Sequence, residues 1–395
     1  MKRQITVLGC GLVGAAIARD LSREDDFEVT VADASEQALA RLGRQAAVRT
    51  RRADLSHPAE ITAVVREADA VVGALPGRLG FAMLEAVIHS GKPIADISFS
   101  PEDLLSLDGL ARERGVTAVV DCGVSPGISN FAVGRAAARL SEIEDVAILV
   151  GGLPADRNRP FGYAIVFSAA DVIEEYTRPA RVVEDGRTVT RPALSEVETI
   201  EVPGVGTLEA FLTDGLRTLL STVRARAMKE KTLRYPGHAE AMRALRDCGF
   251  FETEQIEAGG VSLSPRTVTE NLLTRAWKLP EGEEEFTYLR VVVEGSDPAG
   301  SSRRYVLELM DRTDRTEGLT SMARTTGFPC AAVAMMLARG EYRDPGLRPP
   351  EMLARDPAAS ARFLEALRAH GLAWTESWEE ARSPKSRIQN GERSF

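Results

Sequence analysis

Cysteine is scarce and scattered in this sequence of 395 residues: Cys10, Cys122, Cys248 and Cys330 form no C-x-x-C pair. That spacing argues against a disulfide framework and against a cysteine-bound zinc site. No apolar run reaches the roughly 18 residues of a membrane-spanning helix, and a strand is predicted almost from the amino terminus, so we expect neither a transmembrane segment nor a signal peptide. Positive charge is in deficit, because the formal net charge is −9. This balance argues against nucleic acid or an anionic membrane as partner and favours a protein that acts on small molecules. The scattered cysteines fit a reducing cytoplasm.

The most informative segment is a glycine pattern near the amino terminus. The β-branched run Ile5–Leu8 breaks into Gly9-Cys-Gly11-Leu-Val-Gly14, and an apolar-periodic helix follows from Leu12. In a dinucleotide-binding βαβ unit the first glycine permits the tight turn, the second lets the backbone approach a pyrophosphate, and the third lets the helix pack on the strand. The helix amino terminus then points at the phosphates. The pattern therefore predicts a redox enzyme with a dinucleotide cofactor.

Asp33 indicates which dinucleotide. It ends a second predicted strand, Phe27–Ala32, about 20 positions past the glycines, where an acidic side chain binds the ribose diol of the adenosine. Its carboxylate repels a 2′-phosphate, and the next residues supply no arginine, so we predict NAD. Arg41 and Arg44, further along the helix, leave NADP open.

The βα alternation continues to residue 120. Predicted helices are 36–42, 58–66, 79–90 and 101–114, and further predicted strands are 47–51, 70–75, 93–97 and 116–120. Six strands with right-handed crossovers predict a doubly wound parallel sheet of the Rossmann type, whose ligands bind beyond the carboxyl ends of the strands. The predicted cofactor-binding residues are Gly9, Gly11, Leu12, Val13, Gly14, Asp33, Asp54, Ala74, Leu75, Pro76, Ile97 and Ser98.

The pattern changes after Asp121. Longer β-rich runs without alternating helices predict a second domain of α+β type with a mixed or antiparallel sheet. Those runs are 146–150, 163–167, 181–183, 198–202, 288–294 and 304–310, and we expect 146–152 to pair with 163–168. The apolar segment 325–340 predicts a helix that packs back on the first domain. The polar tail beyond Ser383 is expected to be frayed.

Two candidate catalytic residues follow from position. Asp96 and Asp121 each end a predicted parallel strand, so each is a candidate general base or amine partner. Each equally suits the ordering of its own loop, with Ser98 as a partner of Asp96. Cys122 is more simply a buried inert thiol than a nucleophile. No His, Cys, Asp and Glu grouping has metal-ligand spacing, so we expect no metal.

A basic run, Lys231-Thr-Leu-Arg234-Tyr-Pro-Gly-His238, supplies the candidate substrate anchors. Arginine grips a carboxylate bidentately, so Arg234 is the first candidate, with Lys231 beside it and Arg217 as a second arginine. His238 suits a general base because its ordinary pKa is near neutrality, although it equally suits the start of a helix.

These segments together resemble the saccharopine dehydrogenase-like family, and within it the L-lysine 6-dehydrogenases of bacteria and archaea. The resemblance runs from the glycine pattern to about residue 350. Its specific elements are Ala74–Gly77, Val124–Gly127, Val150–Pro154, Glu174–Ala180, Leu194–Val197, Leu208–Phe211, Lys231–His238, Met322–Thr326 and Pro349–Glu351.

The resemblance implies four segments. They are a Rossmann domain at 1–122, a substrate-binding and dimerisation domain at 123–322, a helix at 323–350 that returns to the Rossmann domain, and a C-terminal helical segment with the tail at 351–395. We accordingly expect a homodimer.

The implied reaction is NAD-dependent oxidative deamination of the ε-amine of L-lysine, which gives ammonia and 2-aminoadipate 6-semialdehyde. The enzyme must bind the neutral amine or deprotonate it, because the free ε-amine has a pKa of about 10.4. Asp121 or His238 is the candidate base and Arg234 the candidate anchor of the α-carboxylate. Tyr163 is placed in the pocket wall, and Pro126 and Gly127 are placed with the substrate.

Two alternatives stay open. One is a saccharopine or carboxynorspermidine-type oxidoreductase that acts on a secondary amine, which would call for more basic anchors than Arg234 and Arg217. The other is a non-catalytic NAD-binding sensor.

Overall fold

The computed structural model describes residues 2–280 and 282–380, which form two compact units. Within the described chain, unit 1 contains residues 2–134 and 322–373, and unit 2 contains 135–280, 282–321 and 374–380. The tail beyond Ser383 lies outside the described residues.

The strands are numbered in chain order. They are β1 (Arg3–Leu8), β2 (Phe27–Asp33), β3 (Arg49–Arg52), β4 (Ala70–Gly73), β5 (Ile94–Asp96), β6 (Thr117–Val119), β7 (Glu142–Pro154), β8 (Ala180–Glu184), β9 (Arg187–Arg191), β10 (Glu198–Val202), β11 (Gly206–Leu212), β12 (Ala227–Arg234), β13 (Ile256–Ala258), β14 (Val261–Leu263), β15 (Glu285–Ser296), β16 (Ser302–Arg312), β17 (Gly346–Leu347) and β18 (Thr375–Glu380).

The α-helices follow the same order. They are α1 (Leu12–Leu21), α2 (Glu36–Gly43), α3 (Pro58–Val65), α4 (Gly77–His89), α5 (Asp108–Glu113), α6 (Ile128–Ala137), α7 (Ala169–Thr177), α8 (Leu219–Thr222), α9 (His238–Asp247), α10 (Pro265–Ala276), α11 (Ser321–Arg339), α12 (Pro350–Leu353) and α13 (Pro357–Ala369). Short 3₁₀ helices span Leu104–Leu107 and Pro160–Gly162. Among the described residues, no helix is both long and apolar enough to cross a membrane.

Unit 1 is built on a parallel sheet with the strand order β17-β6-β5-β4-β1-β2-β3. The reversal beside β1 is that of a Rossmann fold, so the predicted fold class is confirmed. β17 was not predicted from the sequence, because its two residues are too few to show a periodic pattern. One helix was predicted over 101–114, where a 3₁₀ turn precedes the shorter α5.

The apolar helix α11 belongs to unit 1, as expected. A Cβ atom at Gly327 would lie 3.1 Å from the side chain of Ile17 on α1, so this glycine lets the two helices approach closely. At the end of α11, Arg339 donates to Asp26 and Glu24, each at 2.9 Å. The return of the C-terminal chain therefore completes the core around α1.

Unit 2 is built on a mixed sheet with the path β10-β11-β12-β7-β15-β16-β18, and β8 and β9 extend from β12. β12 runs parallel to β7, and the other pairs on this path are antiparallel. Separate apolar clusters cover the sheet: Leu149, Leu208 and Leu233 belong to one, and Tyr163 and Phe211 to another. Phe211 lies opposite Thr232, the residue next to Leu233 on β12. Because neighbouring side chains of a strand alternate, Phe211 and Leu233 lie on opposite faces of the sheet.

The predicted pairing of 146–152 with 163–168 is wrong. Both edges of β7 are taken, one by β12 and one by β15. Residues 163–167 form no strand, and only Ile165 makes an isolated bridge, to Lys278. Their apolar alternation instead buries Tyr163 and Val166 in the core.

Two predicted segment boundaries also differ from the structure. The units divide between 134 and 135, within α6, rather than at residue 122. The segment 351–395 was predicted as helix and tail, but β18 lies in it and pairs with β16 in unit 2. The alternating polar residues of β18 gave no apolar face from which a strand could be predicted.

The contact between α1 and the end of α13 makes the stability of unit 1 depend on pH. His370 Nδ1 lies 2.7 Å from Asp20 Oδ1, and the hydrogen bond to this buried carboxylate raises the pKa of His370. A raised pKa means that the stabilisation is full below the unfolded pKa of about 6.5 and is lost as pH rises through the folded pKa. We expect His370→Gln to lower the free energy of unfolding more at pH 6 than at pH 9.

Chemical denaturation at several pH values measures this difference. His89→Gln, at an exposed site on α4, is the control and should show no such pH dependence. A His370→Gln penalty that is equal at both pH values would contradict the assignment.

Candidate functional site

The glycine loop of unit 1 has the geometry of a dinucleotide cradle. Gly9 has φ +110°, and a Cβ atom there would lie 2.3 Å from the carbonyl oxygen of Ala74. A Cβ at Gly14 would lie 2.3 Å from the oxygen of Gly9, whereas one at Gly11 would meet nothing within 4 Å. Two glycines therefore allow close packing, and the third leaves its backbone open to a ligand.

The amino terminus of α1 is ready to receive an anion. Gly11 is the N-cap and provides no side-chain hydrogen bond, and the first turn, which includes Leu12 and Val13, contains no acidic residue. The N–H groups of that turn have no acceptor within the helix, and the helix dipole favours negative charge there. The loop fits the pyrophosphate of a nicotinamide dinucleotide.

Asp33 lies beside this loop, at the end of β2. Its carboxylate accepts from the backbone N–H groups of Cys10 and Ser35, each at 2.7 Å. These bonds fix the carboxylate next to the second glycine, where ribose hydroxyls are expected. Arg52, at the end of β3, lies opposite Asp33 in the register of β2 and β3 and ion-pairs with Glu36 at 2.8 Å.

Asp54 makes its hydrogen bonds within a separate turn and not with the glycine loop or Asp33. Its carboxylate accepts from the N–H and hydroxyl of Ser56, at 3.1 and 2.6 Å, just before α3. These bonds lower the pKa of Asp54. The side chain thus orders a turn, and its predicted contact with the cofactor stays a prediction.

The loops after β4 and β5 lie on the same edge of the sheet as the glycine loop. Ala74 donates to the carbonyl of Leu8, and Leu75 packs against the position of Gly9. Pro76 caps α4. Ile97 donates to the carbonyl of Gly73 at 3.0 Å. The structure therefore brings together the predicted cofactor residues of three strand ends.

Asp96 is buried at the end of β5 and organises its own loop. Its Oδ1 accepts from the N–H of Ser98 at 3.1 Å and from the Ser98 hydroxyl at 2.8 Å. A Cβ at Gly73 would lie 2.3 Å from the same oxygen, so the glycine makes room for the carboxylate. This geometry favours the loop-ordering alternative over a catalytic role.

Asp121 is the more unusual of the two acids. It is 2% exposed and has φ +53°, a left-handed conformation that costs free energy in a residue other than glycine. The next loop closes on itself: Gly123 donates to Pro126, and Gly127, at φ +142°, approaches Gly123 too closely for a Cβ. The strained backbone holds Asp121 in a fixed orientation at the strand end.

Cys122 is 1% exposed, and its thiol lies 3.7 Å from the carbonyl of Pro329. The thiol of Cys330 donates to the carbonyl of Ala95 at 3.5 Å, and burial raises the pKa of Cys330 well above its ordinary value. The burial of the Cys122 thiol and its contact with the Pro329 carbonyl favour the inert alternative over a nucleophile. Among the described residues, no group of three or more His, Cys, Asp or Glu side chains is arranged to hold a metal.

In unit 2, the basic run separates onto two faces of β12. Side chains alternate along a strand, so Lys231 and Arg234, three positions apart, point to opposite faces. Lys231 ion-pairs with Glu198 and donates to the carbonyl of Glu196 at 2.9 Å. Lys231 is therefore separated from Arg234 and paired with Glu198, which disfavours its predicted role as a substrate anchor.

Arg234 is the centre of a buried polar cluster. It is 2% exposed, ion-pairs with Glu175 on α7, and lies 4.5 Å above the ring of Tyr163. Its Nη1 donates to the carbonyl of Leu233 at 2.9 Å. Among the described residues, neither Arg234 Nε nor the Tyr163 hydroxyl has a hydrogen-bond partner. Two buried donors in one cluster suit the oxygens of a carboxylate.

His238 lies in the same cluster but has no open nitrogen. Its Nδ1 is 2.8 Å from the carbonyl of Phe161 and must carry the proton, so Nε2 accepts from the Tyr176 hydroxyl at 2.9 Å. Burial, with the Arg234 charge added, lowers the pKa of His238 to about 3. The ring is neutral and structural, which disfavours the predicted role as general base.

His238 also begins α9, as the alternative expectation had it. The N-cap residue Gly237 has φ +94° and gives no side-chain cap. Glu209 on β11 replaces it, accepting from the N–H groups of Gly237 and Ala239. Arg217, the second candidate anchor, is 7% exposed with φ +51°.

Three members of this cluster were not predicted from the sequence: the acids Glu175 and Glu230 and the phenol of Tyr176. Glu175 and Tyr176 stand within the segment Glu174–Ala180, which was quoted only for its resemblance to a family. Alternation along β12 would have placed Glu230 on the face of Arg234, but no strand was predicted there. A strand predicted at β12 would therefore have identified Glu230 as a neighbour of Arg234.

Comparisons with known proteins agree with both units. A model of the saccharopine dehydrogenase NADP-binding domain matches residues 5–119, and a model of the saccharopine dehydrogenase C-terminal domain matches residues 123–372. The chain belongs to the saccharopine dehydrogenase family. It is thus an oxidoreductase with a nicotinamide-nucleotide domain, which removes the non-catalytic sensor as an explanation.

The relatives of this family member have low sequence identity to it, but the similarity covers most of the chain. The NADP⁺-dependent, L-glutamate-forming saccharopine dehydrogenase of Saccharomyces cerevisiae is 23% identical over 89% of this chain and 94% of its own length. The carboxyaminopropylagmatine dehydrogenase of Synechocystis is 22% identical, over 94% and 97%. The chain spans about half, 48%, of the bovine mitochondrial alpha-aminoadipic semialdehyde synthase, at 22% identity.

A solved structure shares the fold. The apo L-Glu-forming saccharopine dehydrogenase of Saccharomyces cerevisiae matches with a TM-score of 0.78 and 18% identity, over 95% of this chain and 100% of that one. At this identity the likeness establishes the fold alone.

The ion pair of Arg234 and Glu175 should be costly to break from one side. Glu175→Ala leaves a guanidinium in the core of unit 2 without its carboxylate, and loss of one partner of a buried pair costs about 3 kcal/mol or more. We expect a fall of this size in the free energy of unfolding, measured by denaturant titration.

The control is Arg226→Ala, which breaks an exposed pair with Asp185 in the same unit. It should cost no more than about 1 kcal/mol. Equal penalties for the two variants would mean that the Arg234 pair is not effectively buried.

Proposed function

We propose that this protein is an NAD-dependent dehydrogenase that oxidises the carbon bearing the ε-amine of L-lysine. The observation that carries the proposal is the buried cluster of Arg234 and Tyr163, whose unpartnered donors suit one carboxylate. The glycine loop and Asp33 supply the dinucleotide site.

The first chemical requirement is a neutral amine. A hydride cannot leave a carbon beside a protonated ammonium, and the ordinary pKa of the lysine amine is about 10.4. Asp121 is our candidate for the base that takes this proton, because its side chain is a carboxylate held at the end of β6 by a strained backbone. The other candidate, His238, is disfavoured because both of its ring nitrogens are engaged in hydrogen bonds.

Bound nicotinamide supplies the hydride acceptor at C4. The carbon–hydrogen bond pair leaves the lysine Cε as hydride, and the nitrogen lone pair forms the C=N bond of an iminium. Once Asp121 has released that proton to solvent, its carboxylate suits the activation of water, whose oxygen adds to the same carbon while a proton passes to Asp121. Loss of ammonia gives 2-aminoadipate 6-semialdehyde, which cyclises to a piperideine carboxylate.

The charge balance of unit 2 favours a substrate with one carboxylate. Arg234 faces Glu175, and Arg181 grips Asp214 through two N–H groups at 2.9 and 2.8 Å. Because these arginines already face carboxylates, the cluster has little excess positive charge to offer. Saccharopine, with additional carboxylates, fits this balance less well.

The second candidate is oxidation or formation of a secondary amine. The names of the yeast and Synechocystis relatives, saccharopine and carboxyaminopropylagmatine dehydrogenases, favour it. The same base and dinucleotide site serve that reaction, so the two candidates differ only in the substrate bound in unit 2. A homodimeric state and a small amino acid as partner also stay predictions.

The deciding experiment is NADH formation at 340 nm with L-lysine and NAD at alkaline pH. Saccharopine, ornithine and NADP are assayed beside them. We expect turnover with lysine. Arg234→Lys should raise KM for lysine at least about tenfold, because a bidentate grip is lost, with less effect on kcat. Turnover of saccharopine but not of lysine would replace this proposal by the second candidate, and an unchanged KM would remove Arg234 as the anchor.

The cofactor preference is a separate prediction. We expect kcat/KM for NAD to exceed that for NADP, because Asp33 repels a 2′-phosphate. Asp33→Asn keeps a hydrogen-bond acceptor for Cys10 but removes the charge, and it should raise the ratio of NADP to NAD activity about tenfold or more. Asp69→Asn, a carboxylate that accepts from Gln4 at the opposite ends of the strands, is the control and should leave the ratio unchanged.

A wild-type preference for NADP would show that another group, such as Arg52 released from Glu36, compensates the phosphate charge.

A further inference from the structure

Glu230 is a buried carboxyl group that the proposed reaction does not yet use. It is 3% exposed and lies on β12 two positions before Thr232, on the face that carries Arg234. Its Oε2 accepts from the Thr213 hydroxyl at 2.6 Å and from the N–H of Gly215 at 3.1 Å. A Cβ at Gly215 would lie 2.4 Å from the Glu230 carboxyl carbon, so the chain leaves room for this group.

The acid has no cation of its own. Among the described residues it forms no ion pair, whereas Glu175 pairs with Arg234 and Asp214 pairs with Arg181. Burial, with the negative charges of Glu175 and Asp214 added, raises the pKa of Glu230 to about 8 against the opposing effect of the Thr213 hydrogen bond. Glu230 is therefore a buried acid for which the described residues supply no ion-pair partner.

We propose that Glu230 binds the alkylammonium group of the amino-acid substrate, on the face of β12 where Arg234 binds the carboxylate. The inference rests on the proposed function and deepens it. Buried charges are stable when paired, and an ammonium is the partner that this acid lacks. Arg234 and Glu230 are four residues apart, about 13 Å along the strand, and their long side chains shorten that span. Such a pair selects a substrate with a cation and an anion at separate ends.

The pairing of Glu230 with an ammonium group should be accompanied by the release of a proton. At pH 7 an acid with a pKa near 8 is mostly protonated, and a bound cation favours its carboxylate form. Binding should therefore release close to one proton from Glu230 into the buffer. A substrate held only by Arg234 and Tyr163 would release none from this group.

Calorimetric titration at pH 7, in buffers of different ionisation enthalpy, measures both affinity and proton release. The holoprotein is saturated with NADH to prevent turnover, and the ligands are L-lysine, 6-aminohexanoate and L-norleucine. The variant is Glu230→Gln, whose amide oxygen still accepts from Thr213 and Gly215. We expect it to bind lysine at least about tenfold more weakly and to lose the proton release.

The three ligands identify which ammonium is bound. Weakened binding of 6-aminohexanoate alone assigns the terminal amine, and weakened binding of L-norleucine alone assigns the α-ammonium; either result supports the proposal. Glu198→Gln, which removes a carboxylate beside Lys231 on the opposite face, is the control and should leave affinity and proton release unchanged. If Glu230→Gln fails to fold, Glu230→Asp is used, which should keep proton release while affinity falls.

Equal affinity and equal proton release in wild type and Glu230→Gln would overturn the inference, even where lysine turnover establishes the proposed function. Conversely, Glu230-dependent binding of an alkylammonium ligand would support it even if lysine is not oxidised. If wild-type protein binds none of the three ligands, both proposals are overturned.

Discussion

A single guanidinium charge organises the candidate substrate site. Arg234 sits in the core of unit 2, where an unpaired cation would be prohibitively costly, so the surrounding chain must supply a carboxylate, an aromatic face and a carbonyl. Glu175, Tyr163 and Leu233 meet these needs from three different segments. Burial keeps His238 neutral, and the same Arg234 charge adds to this because a second cation beside it would be repelled.

In unit 1, the dinucleotide site depends on steric space rather than on charge. Gly9 and Gly14 are needed because carbonyl oxygens occupy the volume that a Cβ would fill. The same principle recurs at Gly73, beside the Asp96 carboxylate, and at Gly215, beside Glu230. In each case a glycine lets a polar group approach the backbone, so the glycines mark where the fold concentrates its polar contacts.

Local sequence predicted most of unit 1 and little of unit 2. The Rossmann sheet alternates short buried strands with helices, so each crossover repeats a local signal that can be read without knowledge of the partner strand. In the mixed sheet, the long strand β7 accepts one neighbour in parallel and one antiparallel, from segments far along the chain. Residues 163–167 have the composition of a strand, yet neither edge of β7, their predicted partner, was left for them.

The sequence by itself determined the dinucleotide fold, the family and the identity of the principal arginine, because those depend on spacing within short segments. Only the tertiary structure separated Lys231 from Arg234, engaged both nitrogens of His238 and placed the Glu230 carboxyl in a buried contact with Thr213 and Gly215. These outcomes depend on which strand face meets which helix. Burial then fixes the charge states, since a side chain's pKa reflects its surroundings and not its position in the sequence.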